Sequence, residues 1–272
     1  MARTPESEIR VNGELINPSP AYSHPLSADV YELLYREKDY KAEVEWIKSI
    51  IDEVGLSESR SLLDVGCGTG LHLMYLQRYF PEIAGLDLST SQIAKAKTRL
   101  SNVKLTTGDM EEFDLGRQFA VVTNLYGAIG NLYSRPMIDR GVRSMVRHTT
   151  PGGLIVIQPW DTPDTFNYHK PLRFDTMSSS DGTQHISRMS TFISQPLEGE
   201  EGRLDTTCSY TYGRTAGNKT VIDFFVDRQS LGIYRPETYA EVLQKAGATN
   251  VWIKDPPPHL SSRVKPLVVA RM

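Results

Sequence analysis

A glycine-rich turn is the part of this sequence best suited to chemistry. A short apolar run at residues 61–65 predicts a β-strand, Gly66, Gly68 and Gly70 follow it, and a helical pattern covers residues 71–79. Glycines let the backbone turn sharply and admit a ligand close to main-chain atoms, while the first turn of the following helix presents unpaired N–H groups. Because ligands of open α/β sheets bind at such carboxyl ends of strands, this turn is a candidate binding site.

The spacing of these glycines argues against a dinucleotide. The pattern is G-x-G-x-G, and Leu71 stands where the dinucleotide fingerprint G-x-G-x-x-G needs its last glycine. A nicotinamide cofactor is therefore the minority hypothesis. A glycine-rich turn can also be present only because the chain packs tightly there. Features further along the chain are needed to favour a binding site over that alternative.

Two acidic residues follow the next two predicted strands. Asp87 ends a strand at residues 83–86, seventeen residues after Gly70, where an acid can accept hydrogen bonds from both hydroxyls of a ribose. Its alternative role is a helix cap, which it or Ser89 could provide. Asp109 follows a weaker strand at residues 102–105, at a place where an adenine amino group could be met, and its alternative is a solvated loop acid.

Strands and helices alternate around these residues. The pattern predicts a helix over residues 27–51, interrupted near Asp39 and capped by Ser27 or Asp29. Strands follow at residues 61–65, 83–86, 102–105, 119–124 and 154–158, with helices at 71–79, 89–100 and 136–148 between them. This alternation predicts right-handed crossovers and a parallel sheet.

The alternation of predicted strands and helices stops after Asp161. Period-two alternation at residues 186–193, 204–212 and 220–226, with a turn at 213–218, predicts a small antiparallel insertion. A helix at 236–246 and strands at 251–254 and 267–272 then resume the first pattern. We predict an N-terminal arm over residues 1–27 and a single domain over 28–272, with the β insertion acting as a lid at about 162–234.

Composition excludes several classes of protein. The 272 residues carry a net charge of −3 and are 39% hydrophobic and 23% charged, which is ordinary for a globular protein and disfavours nucleic acid as a partner. The only cysteines, Cys67 and Cys208, are too few for a disulfide framework or a four-ligand zinc site. We expect no metal and no membrane partner. Without a signal peptide or an apolar span, a cytoplasmic location is expected.

Four motifs resemble, in order and in spacing, those of class I S-adenosylmethionine-dependent methyltransferases. They are L-D-V-G-C-G-T-G at residues 63–70, G-L-D-L-S at 85–89, G-D-M at 108–110 and P-G-G at 151–153. The resemblance implies a Rossmann-like fold with a seven-stranded, mostly parallel sheet and an antiparallel last strand. It implies S-adenosylmethionine as cofactor, with Gly66 near its methionine part, Asp87 on its ribose and Asp109 with Met110 at its adenine.

A closer resemblance is to the small N,N-dimethyltransferases of nucleotide-linked aminodeoxysugars. It is carried by segments 30–35, 38–40, 108–117, 128–130 and 159–160. The resemblance implies the following cofactor-binding residues: Tyr31, Gly66, Cys67, Gly68, Asp87, Leu88, Asp109, Met110, Asn124 and Leu125. It implies substrate contacts from Tyr22, Tyr126, Trp160 and Arg263.

This sequence departs from that family at the expected acceptor pocket. Asn131 stands where relatives commonly place an aromatic or imidazole ring, Gln158 replaces a frequent Glu, and Asp161 replaces a second Trp. The same scaffold could therefore be fitted to a different amine, hydroxyl or carbon acceptor.

Methyl transfer from a sulfonium needs alignment more than a catalytic triad. The leaving group is already activated, so the protein must align acceptor, methyl carbon and sulfur and exclude water. We predict Asn131, Tyr22 and His169 as the catalytic residues, with Asn131 orienting the acceptor by hydrogen bonds and His169 as a possible base. Cys67 lacks an adjacent base and is predicted to pack rather than to attack.

The leading function is methyl transfer to a small molecule. An amine is the most favoured acceptor, in natural-product or aminosugar metabolism, and an O- or C-methyltransferase is the alternative within the class. A protein that binds the cofactor without turnover is the alternative from another class. A homodimer is a further expectation, because an apolar face of the β insertion would invite pairing, although that face could equally pack on its own sheet.

Overall fold

A computed structural model describes residues 9–11, 14–16, 18–56, 58, 60–170, 172–194, 199–260 and 264–272. Its strands in chain order are β1 (Ile9–Val11), β2 (Glu14–Ile16), β3 (Ser19–Pro20), β4 (Ser61–Val65), β5 (Glu82–Asp87), β6 (Lys104–Thr107), β7 (Phe119–Asn124), β8 (Thr149–Ile157), β9 (Leu172–Ser178), β10 (Gln184–Ser194), β11 (Gly202–Ala216), β12 (Lys219–Ile233), β13 (Asn250–Lys254) and β14 (Leu267–Arg271). Its helices are α1 (Ser27–Leu34), α2 (Tyr40–Glu53), α3 (Leu71–Leu76), α4 (Thr90–Lys97), α5 (Arg135–Arg147) and α6 (Pro236–Lys245), with a 3₁₀ turn at Ala128–Asn131.

The central sheet has seven strands in the order β13-β14-β8-β7-β4-β5-β6. Five neighbouring strands, from β8 to β6, run parallel, and β14 lies antiparallel to both β8 and β13. The predicted α/β fold with a mostly parallel sheet, an antiparallel last strand and a separate antiparallel β insertion is confirmed. The carboxyl ends of β4, β5 and β7 meet at one edge, as parallel pairing requires.

Helices cover both faces of this sheet, which explains its continuously apolar strands. On β4 the side chains of Leu62 and Leu63 point to opposite faces and both are fully buried. Leu62 packs in a cluster with α2, α3 and α4, including Ile47, while Leu63 packs in a second cluster with α5 and α6, including Val142. The sheet is therefore a rigid platform for the loops at its edge.

The N-terminal helical segment is interrupted where the sequence predicted. α1 ends at Leu34, and α2 begins after Asp39, whose carboxylate accepts a hydrogen bond from the Ala42 N–H at 2.9 Å. The predicted cap of α1 by Ser27 or Asp29 is wrong. The first turn has no side-chain cap, and Asp29 instead pairs with Lys95 of α4 at 2.6 Å, which ties α1 to the central fold.

A second sheet has the order β3-β12-β11-β10-β9, in which β9 to β12 pair antiparallel and β3 lies parallel to β12. β11 and β12 are each 15 residues long, longer than the predicted strands, and β9 was not predicted. β3, from the N-terminal segment, pairs with β12 and so joins that segment to the insertion. Throughout the described ranges, no helix is long and apolar enough to cross a membrane.

Candidate active site

A cavity of about 680 Å³ lies between the edge of the central sheet and the inner face of the second sheet. The glycine-rich turn and the loops after β5, β7 and β8 form one wall. Residues of β9, β10 and β12, with the chain around Tyr22, form the opposite wall. We call these the cofactor wall and the acceptor wall, after the ligands that the sequence predicts for their residues.

The glycine-rich turn packs so closely that a side chain is excluded at Gly66. Its φ of +76° is left-handed, and a Cβ there would lie 2.6 Å from the Cβ of Ala128. The N–H groups of Gly66 and Cys67 both donate to the Leu86 carbonyl of β5, at 2.7 and 3.0 Å. The turn is thereby fixed against the strand that carries Asp87.

Asp87 bridges the turn and the helix that follows β5. Its carboxylate accepts hydrogen bonds from the N–H groups of Gly68 and Ser89, both at 2.8 Å. Burial raises the pKa of Asp87 above its ordinary value, and the two N–H groups act against that rise. Ser89, and not Asp87, caps α4, since its hydroxyl accepts from Gln92 N–H. Asp87 is thus held in place facing the cavity.

Buried polar atoms at this wall fit a polar ligand. Thr69 Oγ1 and Gln92 Oε1 are buried without a hydrogen-bond partner among the described residues, and both residues line the cavity. A Cβ added at Gly68 would meet nothing closer than 3.9 Å. Because unsatisfied buried polar groups are costly, such atoms indicate a ligand with hydrogen-bonding groups, as a nucleoside with an amino-acid tail has.

Tyrosine rings line the junction between the two walls. Tyr22 contacts Tyr31 edge-on, Tyr31 contacts Tyr35, and Tyr35 contacts Tyr126, with centroids 4.8 to 6.2 Å apart. Burial raises the pKa values of Tyr22 and Tyr31 above the ordinary value, so their hydroxyls stay neutral. Tyr22 and Tyr126 both have a left-handed φ, of 60° and 54°. Neutral aromatic faces suit a cationic sulfonium.

A buried charged cluster supports the tyrosines from beneath. Lys38 forms an ion pair with Glu43, and its ammonium lies 4.1 and 4.2 Å from the ring centroids of Tyr40 and Tyr126. His72 Nε2 lies 3.1 Å from Glu43. Burial lowers the pKa of Lys38 to about 8 and that of His72 to about 4. Burial alone would raise the pKa of Glu43, but His72 and Lys38 lower it.

Among the described residues, three cationic side chains line the cavity, two from the acceptor wall and one, Lys265, from the loop before β14. Arg188 of β10 donates to Asp175 of β9 through two nitrogens, at 3.1 and 2.6 Å, and to the Tyr35 hydroxyl at 3.2 Å. Lys265 pairs with Asp161 at 3.0 Å. Arg173 of β9 lies over the phenyl rings of Phe166 and Phe192. All three cations line the cavity.

Comparison with known proteins identifies the family. A family model described as a methyltransferase domain matches residues 62–153. The chain is 32% identical over 241 residues to a dTDP-4-amino-2,3,4,6-tetradeoxy-D-glucose N,N-dimethyltransferase of Saccharopolyspora spinosa, and the match covers 88% of this chain and 91% of that enzyme. The chain belongs to this N,N-dimethyltransferase family.

Other relatives agree with that family. A dTDP-3-amino-3,4,6-trideoxy-alpha-D-glucopyranose N,N-dimethyltransferase of Streptomyces venezuelae is 41% identical over 141 residues, although the match spans only 51% of this chain and 59% of that enzyme. The crystal structure of DesVI from the same organism has a TM-score of 0.74 and 29% identity, covering 89% of this chain and 97% of that one. S-adenosylmethionine-bound CalS10, an amino pentose methyltransferase from Micromonospora echinaspora, has a TM-score of 0.71 at 29% identity, covering 89% and 96%.

Most of the residues that we predicted for this methyltransferase face one cavity. The structure brings together Tyr22, Tyr31, Gly66, Cys67, Gly68, Asp87, Leu88, Met110, Leu125, Tyr126, Asn131 and Trp160. Their individual roles stay predictions. Cys67 is a buried free thiol whose pKa is raised by burial, so it is mainly protonated and a poor nucleophile.

Three predicted residues lie elsewhere in the described part of the methyltransferase. Asp109 is exposed, with its carboxylate accepting the Glu111 N–H at 2.9 Å, and His169 is exposed; neither lines the cavity. Asn124 is fully buried behind the wall and donates to the Val65 carbonyl at 2.9 Å, so it joins the ends of β7 and β4. Arg263 lies outside the described residues.

Several cavity residues of the methyltransferase were not predicted. They are Gln92 on the cofactor wall, His72 beneath the tyrosines, Arg173, Asp175 and Arg188 on the acceptor wall, and Lys265 before β14. The alternation of Arg173, Asp175 and Met177 with outward-facing residues was a readable strand signal. It was missed because charges and a proline at position 171 hid the apolar pattern.

Proposed function

We propose that this protein transfers methyl groups from S-adenosylmethionine to the amino group of a nucleotide-linked aminodeoxysugar. The observation that carries the proposal is the match to N,N-dimethyltransferases of such sugars at 32% and 35% identity over most of their length. A cavity with a glycine-rich, polar wall facing a cationic wall supports it. The cofactor would enter as the methyl donor, because its sulfonium is an activated leaving group.

The cofactor wall supplies the residues that would hold that donor. Asp87 presents a fixed carboxylate suited to ribose hydroxyls, and Thr69 and Gln92 offer unsatisfied buried oxygens to polar groups of the ligand. Met110 and Leu125 line the same wall with apolar surface. Asp109 as an adenine contact stays a proposal, which requires a side-chain rotation of this exposed residue toward the cavity.

Asn131 would orient the acceptor amine. Its amide nitrogen donates to the Ala128 carbonyl at 3.1 Å, which leaves its oxygen to accept an amine N–H. Asn131 and Gln158 are neutral amides, and Gln158 accepts the Tyr126 N–H at 2.6 Å. Gln158 thereby fixes the strained Tyr126 beside the cavity. Position and water exclusion would supply most of the rate enhancement.

The amine would have to arrive without its proton. Amide groups cannot take a proton near neutral pH, and the raised pKa values of Tyr22 and Tyr31 leave those groups protonated. His72, whose pKa is lowered to about 4, is held between Glu43 and Lys38. We therefore expect the rate to rise with pH through the acceptor's own pKa, with the methylated ammonium releasing its proton to water.

A binding and product assay tests this function. Calorimetric titration with S-adenosylmethionine and S-adenosylhomocysteine should show binding of both, and incubation with dTDP-linked aminodeoxysugars should give one or two added methyl groups by mass spectrometry. Addition of methyl only to oxygen or carbon acceptors would overturn the amine assignment. Binding of the cofactor with no product from any acceptor would favour a non-catalytic protein.

We also propose a lid, a homodimer and a cytoplasmic location. The residue 1–27 arm and the insertion at about 162–234 would close the cavity together, and the pairing of β3 with β12 supports this.

The outward face of the insertion exposes large apolar side chains that a second copy could cover: Leu172, Phe174, Met189, Ile193, Ile222 and Phe224. The free thiols of Cys67 and Cys208 suit a reducing compartment.

A further inference from the structure

In the part of the chain that the structure describes, two of the three cations that line the cavity are paired with carboxylates, and the third is not. Arg188 is matched by Asp175, and Lys265 is matched by Asp161. Arg173, which also lines the cavity, has no ion pair and no hydrogen-bond acceptor within the described ranges of the chain. A guanidinium left without an acceptor beside two neutralised cations indicates a place for an anion supplied from outside the protein.

Two phenyl rings hold this guanidinium in position. The central carbon of the Arg173 guanidinium lies 5.0 Å from the ring centroid of Phe166 and 4.7 Å from that of Phe192. These rings contact each other edge-on with centroids 5.6 Å apart, and Phe166 is nearly fully buried. Contact with these rings restrains the guanidinium without using any of its N–H groups, which can still donate to a ligand.

The direction of Arg173 follows from the register of β9. Leu172, Phe174 and Thr176 face solvent, so Arg173 and Asp175 face inward by strand alternation. Arg173 pairs across the ladder with Ser190, and Asp175 pairs with Arg188. The two arginines therefore lie on the same inner face, but only Arg188 has its own carboxylate.

We propose that Arg173 binds a phosphate group of the acceptor and thereby selects phosphorylated acceptors. This inference rests on the proposed function and deepens it, because it assigns the part of the acceptor that lies away from the amine. A guanidinium edge with several N–H donors matches phosphate oxygens in a bidentate geometry. The ring contacts reduce the entropy that the side chain loses when it binds.

Two acceptors with the same aminosugar test the proposal. One is linked to a nucleoside diphosphate and the other is the methyl glycoside without phosphate. Arg173→Met keeps the packing against the rings and removes the charge and the donors. We expect KM for the diphosphate-linked acceptor to rise roughly ten- to a hundred-fold, with kcat within about two-fold and no change for the methyl glycoside.

Further variants separate charge from geometry. Arg173→Lys keeps the charge but loses the planar set of N–H donors. Its KM for the diphosphate-linked acceptor should lie between those of wild type and Arg173→Met. Arg214→Met is the matched control, because Arg214 also lies over a ring on the same sheet but pairs with Asp223 and does not line the cavity. It should leave both KM values unchanged. A sugar 1-phosphate acceptor shows whether one phosphate suffices or the linked diphosphate is required.

Direct binding separates this inference from the proposed function. With S-adenosylhomocysteine present, calorimetry should detect a nucleoside diphosphate bound by wild type and weakened in Arg173→Met, whether or not any amine is methylated. Equal changes in KM for both acceptors, or equal diphosphate affinity in wild type and variant, would overturn the role of Arg173. Failure to methylate any amine, with the diphosphate still bound through Arg173, would overturn only the proposed function.

Discussion

The two walls of the cavity are built in different ways. The cofactor wall is made of short continuous segments around Gly66, Asp87 and Leu125, and backbone hydrogen bonds hold its tight turns in place. The acceptor wall is made of side chains from separate strands, such as Arg173 and Arg188, whose backbones are engaged in the antiparallel ladder. A side chain on that ladder can be exchanged without moving the backbone, so acceptor preference can change while the cofactor site is kept.

The buried cluster of Lys38, Glu43 and His72 packs beneath the tyrosines of the cavity. If the cavity depends on this rigid base, breaking the cluster should have the largest effect on stability. Glu43→Gln leaves Lys38 buried without a carboxylate and should lower the free energy of unfolding by about 3–5 kcal/mol in urea denaturation. Glu45→Gln is the control on the same helix, since Glu45 is an exposed partner of Lys41 at 3.6 Å and should cost under about 1 kcal/mol. Equal costs for the two variants would show that the cluster does not support this cavity.

The contrast between the walls also decides what the sequence could predict. Glycine spacing and the position of Asp87 are local signals, so a binding site at this edge of the sheet followed from them, while the alternation of strands and helices predicted the parallel sheet. Arg173, Asp175 and Arg188 are far from the glycine motif in sequence, and only the tertiary fold brings them to the same cavity. Asn124 was expected from the family resemblance but is fully buried and faces the core. The alternation of a strand does not reveal which of its faces a ligand will occupy.

Asp64, at the base of the glycine-rich turn, should make the stability of the central sheet depend on pH. Burial raises the pKa of Asp64 to about 7, against the hydrogen bond from Thr123 Oγ1 at 2.8 Å. Between the unfolded pKa near 4 and the folded value, the unfolded chain loses this proton while the folded chain keeps it, so stability falls as pH rises. Asp64→Asn cannot titrate and should gain about 3 kcal/mol over wild type between about pH 5 and pH 8.

Denaturation of both proteins at the two pH values measures this difference. Thr123→Val removes the hydrogen bond that lowers the pKa of Asp64, so it should raise that pKa further and extend the loss of stability to higher pH. A variant Asp64→Asn with the same pH dependence as wild type would mean that Asp64 ionises freely in the folded chain, and that the base of the turn is wetter than its burial indicates.

Asp87→Ala tests the cofactor wall itself. Loss of the carboxylate removes the acceptor for the Gly68 and Ser89 N–H groups and the proposed ribose contact. We expect the affinity for S-adenosylmethionine to fall roughly a hundred-fold in calorimetry, as the loss of charged hydrogen bonds implies. Glu82→Ala, at the opposite end of the same strand and paired with Arg117, should bind as wild type does. Unchanged affinity in Asp87→Ala would remove Asp87 from the site.

The smallest effect on folding is expected on the outer face of the insertion. Phe174 is 67% exposed and lies opposite Met189 in the ladder, so Phe174→Ser removes apolar surface that the monomer does not bury. Its stability should change by under about 1 kcal/mol, and its cofactor affinity should not change. If that face joins two copies, light scattering should show dimers for wild type and for Thr176→Ser, the control on the same strand face, and monomers for Phe174→Ser. A Phe174→Ser variant that stays dimeric would place the dimer contact elsewhere. If the wild-type protein is a monomer at every concentration, the acceptor wall is complete within one chain.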